Sequence, residues 1–275
     1  MMLIVVVGTY FDGGGAFAFG DRIAIVEIFG PIYDSENVVR QIKKYGDDGS
    51  VAAILLHVNS PGGAVAPTQE IYDEILRVRM EEEKPVIASF SSMAASGGYY
   101  LSCATDRIIA NPGTLIGSIG VIIQYPIFEG LMDKIGVGHE TIKTGDLKDT
   151  GSPYRQPTDE DREMLKHAID DTYGQFVEVV IEGRNLTREE VLKIADGSIF
   201  TGRQGLDLGL VDQMGSFEEA IRITAELAGL EGEPHTIVEK PKTGLTIFDL
   251  LSGAVSDVIA PDRLNMGPEL KYLYR

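Results

Sequence analysis

The sequence predicts an α/β fold, in which strands and helices alternate and right-handed crossovers join parallel strands. One observation behind this is Val51-Ala-Ala-Ile-Leu-Leu-His-Val58, a nearly unbroken apolar run between turn residues. Such a run suits a strand covered on both faces. A second is the helical spacing of the segment that follows, residues 68–83, where Ile71, Ile75 and Leu76 share one face. A third is the glycine-rich turn Asn59-Ser-Pro-Gly-Gly63, placed between that strand and that helix.

The remaining elements follow in order. Arg22-Ile-Ala-Ile-Val-Glu-Ile28 reads as a strand, and residues 35–45 as a short helix opened by an N-cap serine, Ser35. Residues 85–90 form the next strand, and helix resumes after Ser96. Residues 107–110 and 119–123 are further strand candidates. Residues 158–182 predict one long helix. Thr158 caps it, Asp159, Glu160 and Asp161 load its first turn, and Leu165, Ile169, Tyr173, Phe176 and Val180 form a stripe. Residues 189–195, 217–227 and 245–258 predict shorter helices.

At the ends, residues 1–7 are apolar but far short of the ~20 residues of a spanning helix. They suit an edge strand or the tail of an anchor that starts upstream. Residues 261–275 read as a tail or an arm reaching a neighbouring subunit. The chain thus divides into an apolar segment (1–21), a main domain (22–229) and a C-terminal arm or helix (230–275).

Composition narrows the function. A net charge of −18 and a pI near 4.6 disfavour nucleic acid and anionic membrane surfaces, which would repel the chain. Cys103 is the only cysteine, so no intrachain disulfide forms, and its expected role is a small buried hydrophobe. No cofactor or metal is called for.

The chemistry concentrates at two turns. In Asn59–Gly63, Pro61 fixes one φ, while Gly62 and Gly63 let the backbone turn and expose N–H groups. Ser96 stands in a second glycine-rich turn at the start of a helix, where N–H groups and the helix dipole favour developing negative charge. A serine nucleophile needs a proton acceptor. None of His57, His139, His167 or His235 lies in a stretch that announces a base, which leaves lysine. Lys143 and Lys148 are the candidates. A free lysine loses its proton only near pH ~10.4, so a lysine base must sit out of water, against apolar side chains and a hydroxyl.

Four blocks then carry a resemblance: Asn59-Ser-Pro-Gly-Gly63, Met93-Ala-Ala-Ser-Gly-Gly98, Gly113-Thr-Leu-Ile-Gly-Ser-Ile-Gly-Val121 and Lys143-Thr-Gly-Asp-Leu-Lys-Asp149. Together with Phe200-Thr-Gly-Arg-Gln-Gly-Leu-Asp-Leu-Gly-Leu-Val-Asp-Gln-Met-Gly215, they resemble the signal peptide peptidase A family. The resemblance runs in order from about residue 22 to residue 229. It implies a ClpP/crotonase-like fold of repeated β-β-α units with a helical C-terminal extension, and a Ser/Lys-dyad serine endopeptidase. By the same resemblance Ser96 is the nucleophile, Lys148 the general base and Ser118 the residue that holds the lysine. Gly97 and either Gly62 or Gly63 supply the oxyanion donors. The implied partners are unfolded, signal-type or membrane-released polypeptides and further copies of the chain in a dome or ring. The implied location is a membrane, with the catalytic domain on its extracytoplasmic side, although the chain as it stands is soluble.

Three other readings share parts of this pattern. A ClpP-type Ser-His-Asp site would want a histidine a strand beyond Ser96, and residues 99–138 contain none. A stomatin-directed Ser/Lys protease would use the same dyad. A crotonase-like acyl-CoA enzyme would use carboxylates and an adenine-nucleotide pocket, which nothing in the sequence suggests.

Overall fold

The structure is a computed structural model, and it describes residues 21–239 and 270–273. The first half runs β1 (Arg22–Phe29), α1 (Glu36–Asp47), β2 (Val51–Ser60), β3 (Gly62–Ala64), α2 (Val65–Glu81), β4 (Val86–Ala95) and α3 (Gly97–Ser102). Next come β5 (Arg107–Ala110), β6 (Leu115–Gly117), β7 (Ile122–Ile123), α4 (Glu129–Ile135), a 3-10 turn (Asp146–Asp149) and α5 (Asp159–Arg184). The chain continues through α6 (Arg188–Leu192), β8 (Ile199–Thr201), α7 (Gly202–Asp207), β9 (Gln213–Met214), α8 (Phe217–Leu227), β10 (His235–Val238) and β11 (Leu270–Leu273).

The main sheet has the order β10-β1-β2-β4-β5-β9, and every pair along that path is parallel. Its strands alternate between two apolar layers, because successive side chains point to opposite faces. Ile23, Ile25, Leu55, Ile87 and Ile109 pack with Ala220, Ile223 and Ala225 of α8. Ala24, Val26, Ile54, Leu56, Val58 and Phe90 face the larger layer, which includes Ile42 of α1, Ile71 and Ile75 of α2, and Phe176 and Val180 of α5. Each such isoleucine, leucine or phenylalanine contributes about 1.5–3 kcal/mol through removal from water.

The length of β4 positions the site. Its first half pairs with β5 (Ile87↔Arg107 to Phe90↔Ala110), and its second half pairs with β6 (Met93↔Leu115 to Ala95↔Gly117). One edge thus serves two strands in turn and carries the chain ten residues to the Ser96 turn.

Several elements differ from expectation. The α2 helix begins at Val65, before Pro67, because proline within a first turn removes an N–H that has no helical partner anyway. Of the strand expected over 119–123 only Ile122–Ile123 is strand (β7); β6 ends before it at Gly117, and the chain turns away at Ser118, whose φ is +51°. The Ser35 hydroxyl bonds Glu70 rather than capping α1. Thr158 caps α5 as expected, in a reciprocal box with Asp161. Part of the arm expected to reach a neighbour turns back on its own chain. Residues 270–273 pair antiparallel with both β3 and β7, filling backbone edges that would otherwise lie unpaired. The apolar segment 1–20 and the helix expected over 245–258 lie outside the described residues.

Candidate active site

Ser96 occupies the step from β4 to α3 with φ 52° and ψ −118°, a region that costs a non-glycine residue about 1–3 kcal/mol. The turn is held from both sides. Its N–H donates to the Gly117 carbonyl at 2.8 Å, and its own carbonyl accepts from Tyr100 N–H at 2.8 Å. Beneath it α3 is pinned by aromatic side chains. The Tyr99 hydroxyl donates to the Leu210 carbonyl at 2.9 Å, and Tyr100 sits edge-on between Tyr72 of α2 and Phe176 of α5. The two tyrosines after the glycines are therefore the anchor of the turn. The Ser96 Oγ is buried and has no hydrogen-bond partner among the described residues.

The two glycine turns meet. A Cβ built on Gly97 would lie 3.2 Å from the Gly62 Cα and 3.3 Å from the Gly63 nitrogen. A Cβ on Gly63 would lie 2.0 Å from the Ile32 carbonyl oxygen, so no larger residue fits there without moving backbone. The structure also distinguishes the glycines of the first turn. The Gly62 N–H donates to the Ser60 hydroxyl at 3.1 Å and is already engaged. Ser60 is a fully buried residue with no distinguishing mark in the sequence.

Ser118 enters through the β4–β6 register. Ala95 lies opposite Gly117, which brings the next residues, Ser96 and Ser118, to the same end of two neighbouring parallel strands. Like Ser96, Ser118 is buried and held at positive φ, with its N–H on the Ser198 carbonyl at 2.7 Å. It borders a depression also lined by Ile119, Val121, Ile122, Ile169 and Tyr173.

Among the described residues the Lys148 side chain makes no bond to Ser96. Lys148 lies in the 3-10 turn, where its N–H donates to the Gly145 carbonyl at 3.1 Å, and its side chain is exposed to solvent with no hydrogen bond or ion pair among the described residues. Lys143 has a different task, bonding the Asp146 carbonyl at 2.6 Å and the Asp149 carboxylate at 2.8 Å. Lys166 borders the Ser118 depression, but its ammonium is engaged by Asp170. The histidines stay outside the site: His57 is stacked on Phe217 and set edge-on to Phe29. The Cys103 thiol is pushed up to about 12 by burial and is a packed core group, as expected.

A cluster with no obvious mark in the sequence surrounds the lysine turn. The Arg155 guanidinium bridges Asp149 (Nη2 to Oδ1, 2.7 Å) and both carboxylate oxygens of Asp161. The Thr150 hydroxyl lies between the Leu147 carbonyl at 2.8 Å and Asp161 at 2.6 Å. Hydrogen bonds from Arg155 hold both carboxyls well below the usual carboxylate range, aided by Lys143 at Asp149. The sign follows from linkage. A carboxyl depressed in the folded state contributes stability that is full above its unfolded value of about 4 and is lost as pH falls below it. A thermal melt series from pH 6 to pH 2 is expected to show falling stability below about pH 4, with a smaller fall in Asp161→Asn.

With fold and site described, comparison with known proteins decides the family. The profile of Peptidase family S49 matches residues 79–231, more than half of the chain, and that of Clp protease matches residues 22–116. The chain belongs to peptidase family S49. As an S49 chain it is a serine-type peptidase on a ClpP/crotonase-like fold, and the resemblance to signal peptide peptidase A holds. Three relatives illustrate the range. The Synechocystis sp. protein named protease slr0021 is 42% identical over 91% of this chain and 90% of its own length. The Enterococcus faecium protein named signal peptide peptidase SppA is 41% identical over 69% of this chain and 55% of its own. Protease 4 of Haemophilus influenzae is 37% identical over 75% of this chain and 35% of its own. The S49 chain thus spans nearly all of the first, about half of the second and about a third of the third. Among the described residues no helix is long and apolar enough to cross a membrane.

Proposed function

We propose that the chain is an endopeptidase that cleaves extended, unfolded polypeptide, including signal-type and membrane-released segments, with Ser96 as nucleophile and Lys148 as general base. The neutral lysine takes the Ser96 proton, and Oγ attacks the peptide carbonyl. Backbone N–H groups of Gly63 and Gly97 hold the resulting oxyanion, since Gly62 is committed to Ser60. The lysine then gives its proton to the leaving amine, and water releases the acyl group by the same route. Ser118, at the same strand ends as Ser96, receives the lysine amine.

The exposed position of Lys148 fits a dyad completed between copies. Among the described residues the Ser96 Oγ is buried without a partner, and the Lys148 side chain is exposed without one. In α4 no residue is buried, and Leu131, Ile135, Val137, Ile142 and Leu147 all present apolar surface to solvent. A second copy that covers this surface carries the lysine to a neighbouring Ser96, giving a closed ring or dome. Such an assembly placed at a membrane, on its extracytoplasmic side, would meet released signal segments.

One observation carries the substrate reading. Residues 270–273 lie as a middle strand between β3 and β7, with Tyr272 opposite Gly63 and Lys271 opposite both Ala64 and Ile122. A groove that accepts one extended strand on both edges, beside the Ser96 turn, accepts a substrate in the same way. The apolar depression bordered by Ser118, Val121 and Ile122 lies beside that strand path and suits an apolar substrate side chain. The test is to remove residues 270–275 and follow cleavage of a fluorogenic peptide. Shared occupancy predicts a fall of KM by about threefold or more with kcat kept, and an unchanged KM would argue against it.

A further inference from the structure

We propose that Asp161, acting through Arg155, Thr150 and Asp149, is the positioning residue that aims Lys148 at the nucleophile. The inference rests on Lys148 being the base, and it concerns how that base is held.

Three features carry it. First, Lys148 is free while its surroundings are fixed. Asp149 is tied to Arg155 and Lys143, Thr150 to Asp161, and Lys143 closes the turn onto the Asp146 carbonyl. The acid next to it in the chain, Asp149, is already paired, so the Lys148 ammonium stays exposed. Second, Asp161 exceeds the needs of helix capping. The reciprocal boxes of α6 and α7 use Glu190 and Gln204, both exposed. The box of α5 uses a carboxylate whose side chain is 1% exposed and which also takes the Arg155 fork and Thr150. Burying a charge this way is costly unless every oxygen is bonded, and here every oxygen is. Third, the clamp connects to the core. In the second half of α5, Phe176, Val177 and Val180 are fully buried, so the helix is a rigid lever that ends at Asp161. Residues 139–148 are exposed throughout, held at their start by the His139 ring against Tyr154 and at their end by the bonds of Lys143 to Asp146 and Asp149. The path from core to base therefore runs through α5, Asp161, the Arg155 fork and Asp149. A base displaced by about 1 Å loses of the order of 10²-fold in rate.

The experiment compares Asp161→Asn and Arg155→Lys with the parent in peptide hydrolysis, each also placed in the Lys148→Ala background. Asparagine keeps an acceptor for the cap but loses the charged fork, and lysine keeps the charge but loses the second prong. The expected result is a kcat lowered about 10–100-fold with KM within about twofold, and no further loss when either change is added to Lys148→Ala. Should Asp161→Asn fail to fold, Arg155→Lys carries the test alone. A lowered melting temperature with unchanged kcat per titrated active site would overturn the proposal. So would an equal loss of the residual rate in the Lys148→Ala background. If Lys148→Ala itself keeps full kcat, the dyad falls and the positioning role with it. If Lys148→Ala is inactive and Asp161→Asn is not slowed, the positioning role alone falls.

Discussion

Ser96→Ala is expected to abolish peptide hydrolysis while leaving the fold unchanged. Removal of a serine nucleophile costs about 10⁴–10⁶ in kcat, because the covalent route closes and only binding and oxyanion stabilisation remain. The structural cost is small for a stated reason. The Ser96 Oγ has no hydrogen-bond partner among the described residues, so its loss leaves none of them stranded, and the backbone bonds to Gly117 and Tyr100 do not involve the side chain. Cleavage of an unfolded protein and a thermal melt, run on the same preparation, check both halves. Turnover retained in Ser96→Ala would move the nucleophile elsewhere.

Lys148→Ala is expected to lose about 10²–10⁴ in rate on its own, the range of a general base. The larger effect is its recovery. If the dyad forms between copies, Ser96→Ala and Lys148→Ala chains co-expressed in one cell form particles in which one chain supplies the lysine and another the serine. With random mixing about a quarter of the sites are complete, so activity returns to about a quarter of the parent level from two inactive proteins. Affinity tags on each variant verify that the particles are mixed. Mixed particles without activity would mean that each site uses its own chain's lysine.

Much of the fold was legible because it depends on local signals. The run Val51–Val58 is apolar on both faces because it lies between two layers, and it became β2 almost as expected. Thr158 and the acids after it announced α5 at its first residue. Ser96 was legible because a strained strand-to-helix turn needs small neighbours, and the glycines around it supply them. What was not legible depends on distant contacts. The loss of strand at 119–121 goes with distant partners: Phe200 opposite Ile116 and the Ser198 carbonyl on the Ser118 N–H. That the Gly62 N–H is engaged depends on one hydroxyl, that of Ser60, two residues away. Asp161 looked like a first-turn acid, and only the fold brings Arg155 and Thr150 onto it. The lack of a bond between Lys148 and Ser96 among the described residues is of the same kind. Nothing local in a sequence says whether a base meets its own nucleophile or a neighbour's.

Trapping of the covalent intermediate tests the central claim most directly. An activated peptide ester is mixed with the protein, quenched in acid within the first turnover, digested and mapped by mass. The account predicts an acyl adduct on the peptide that contains Ser96, present in Lys148→Ala at a lower rate and absent from Ser96→Ala. An adduct on a different residue, or turnover at full rate with no adduct, would contradict it.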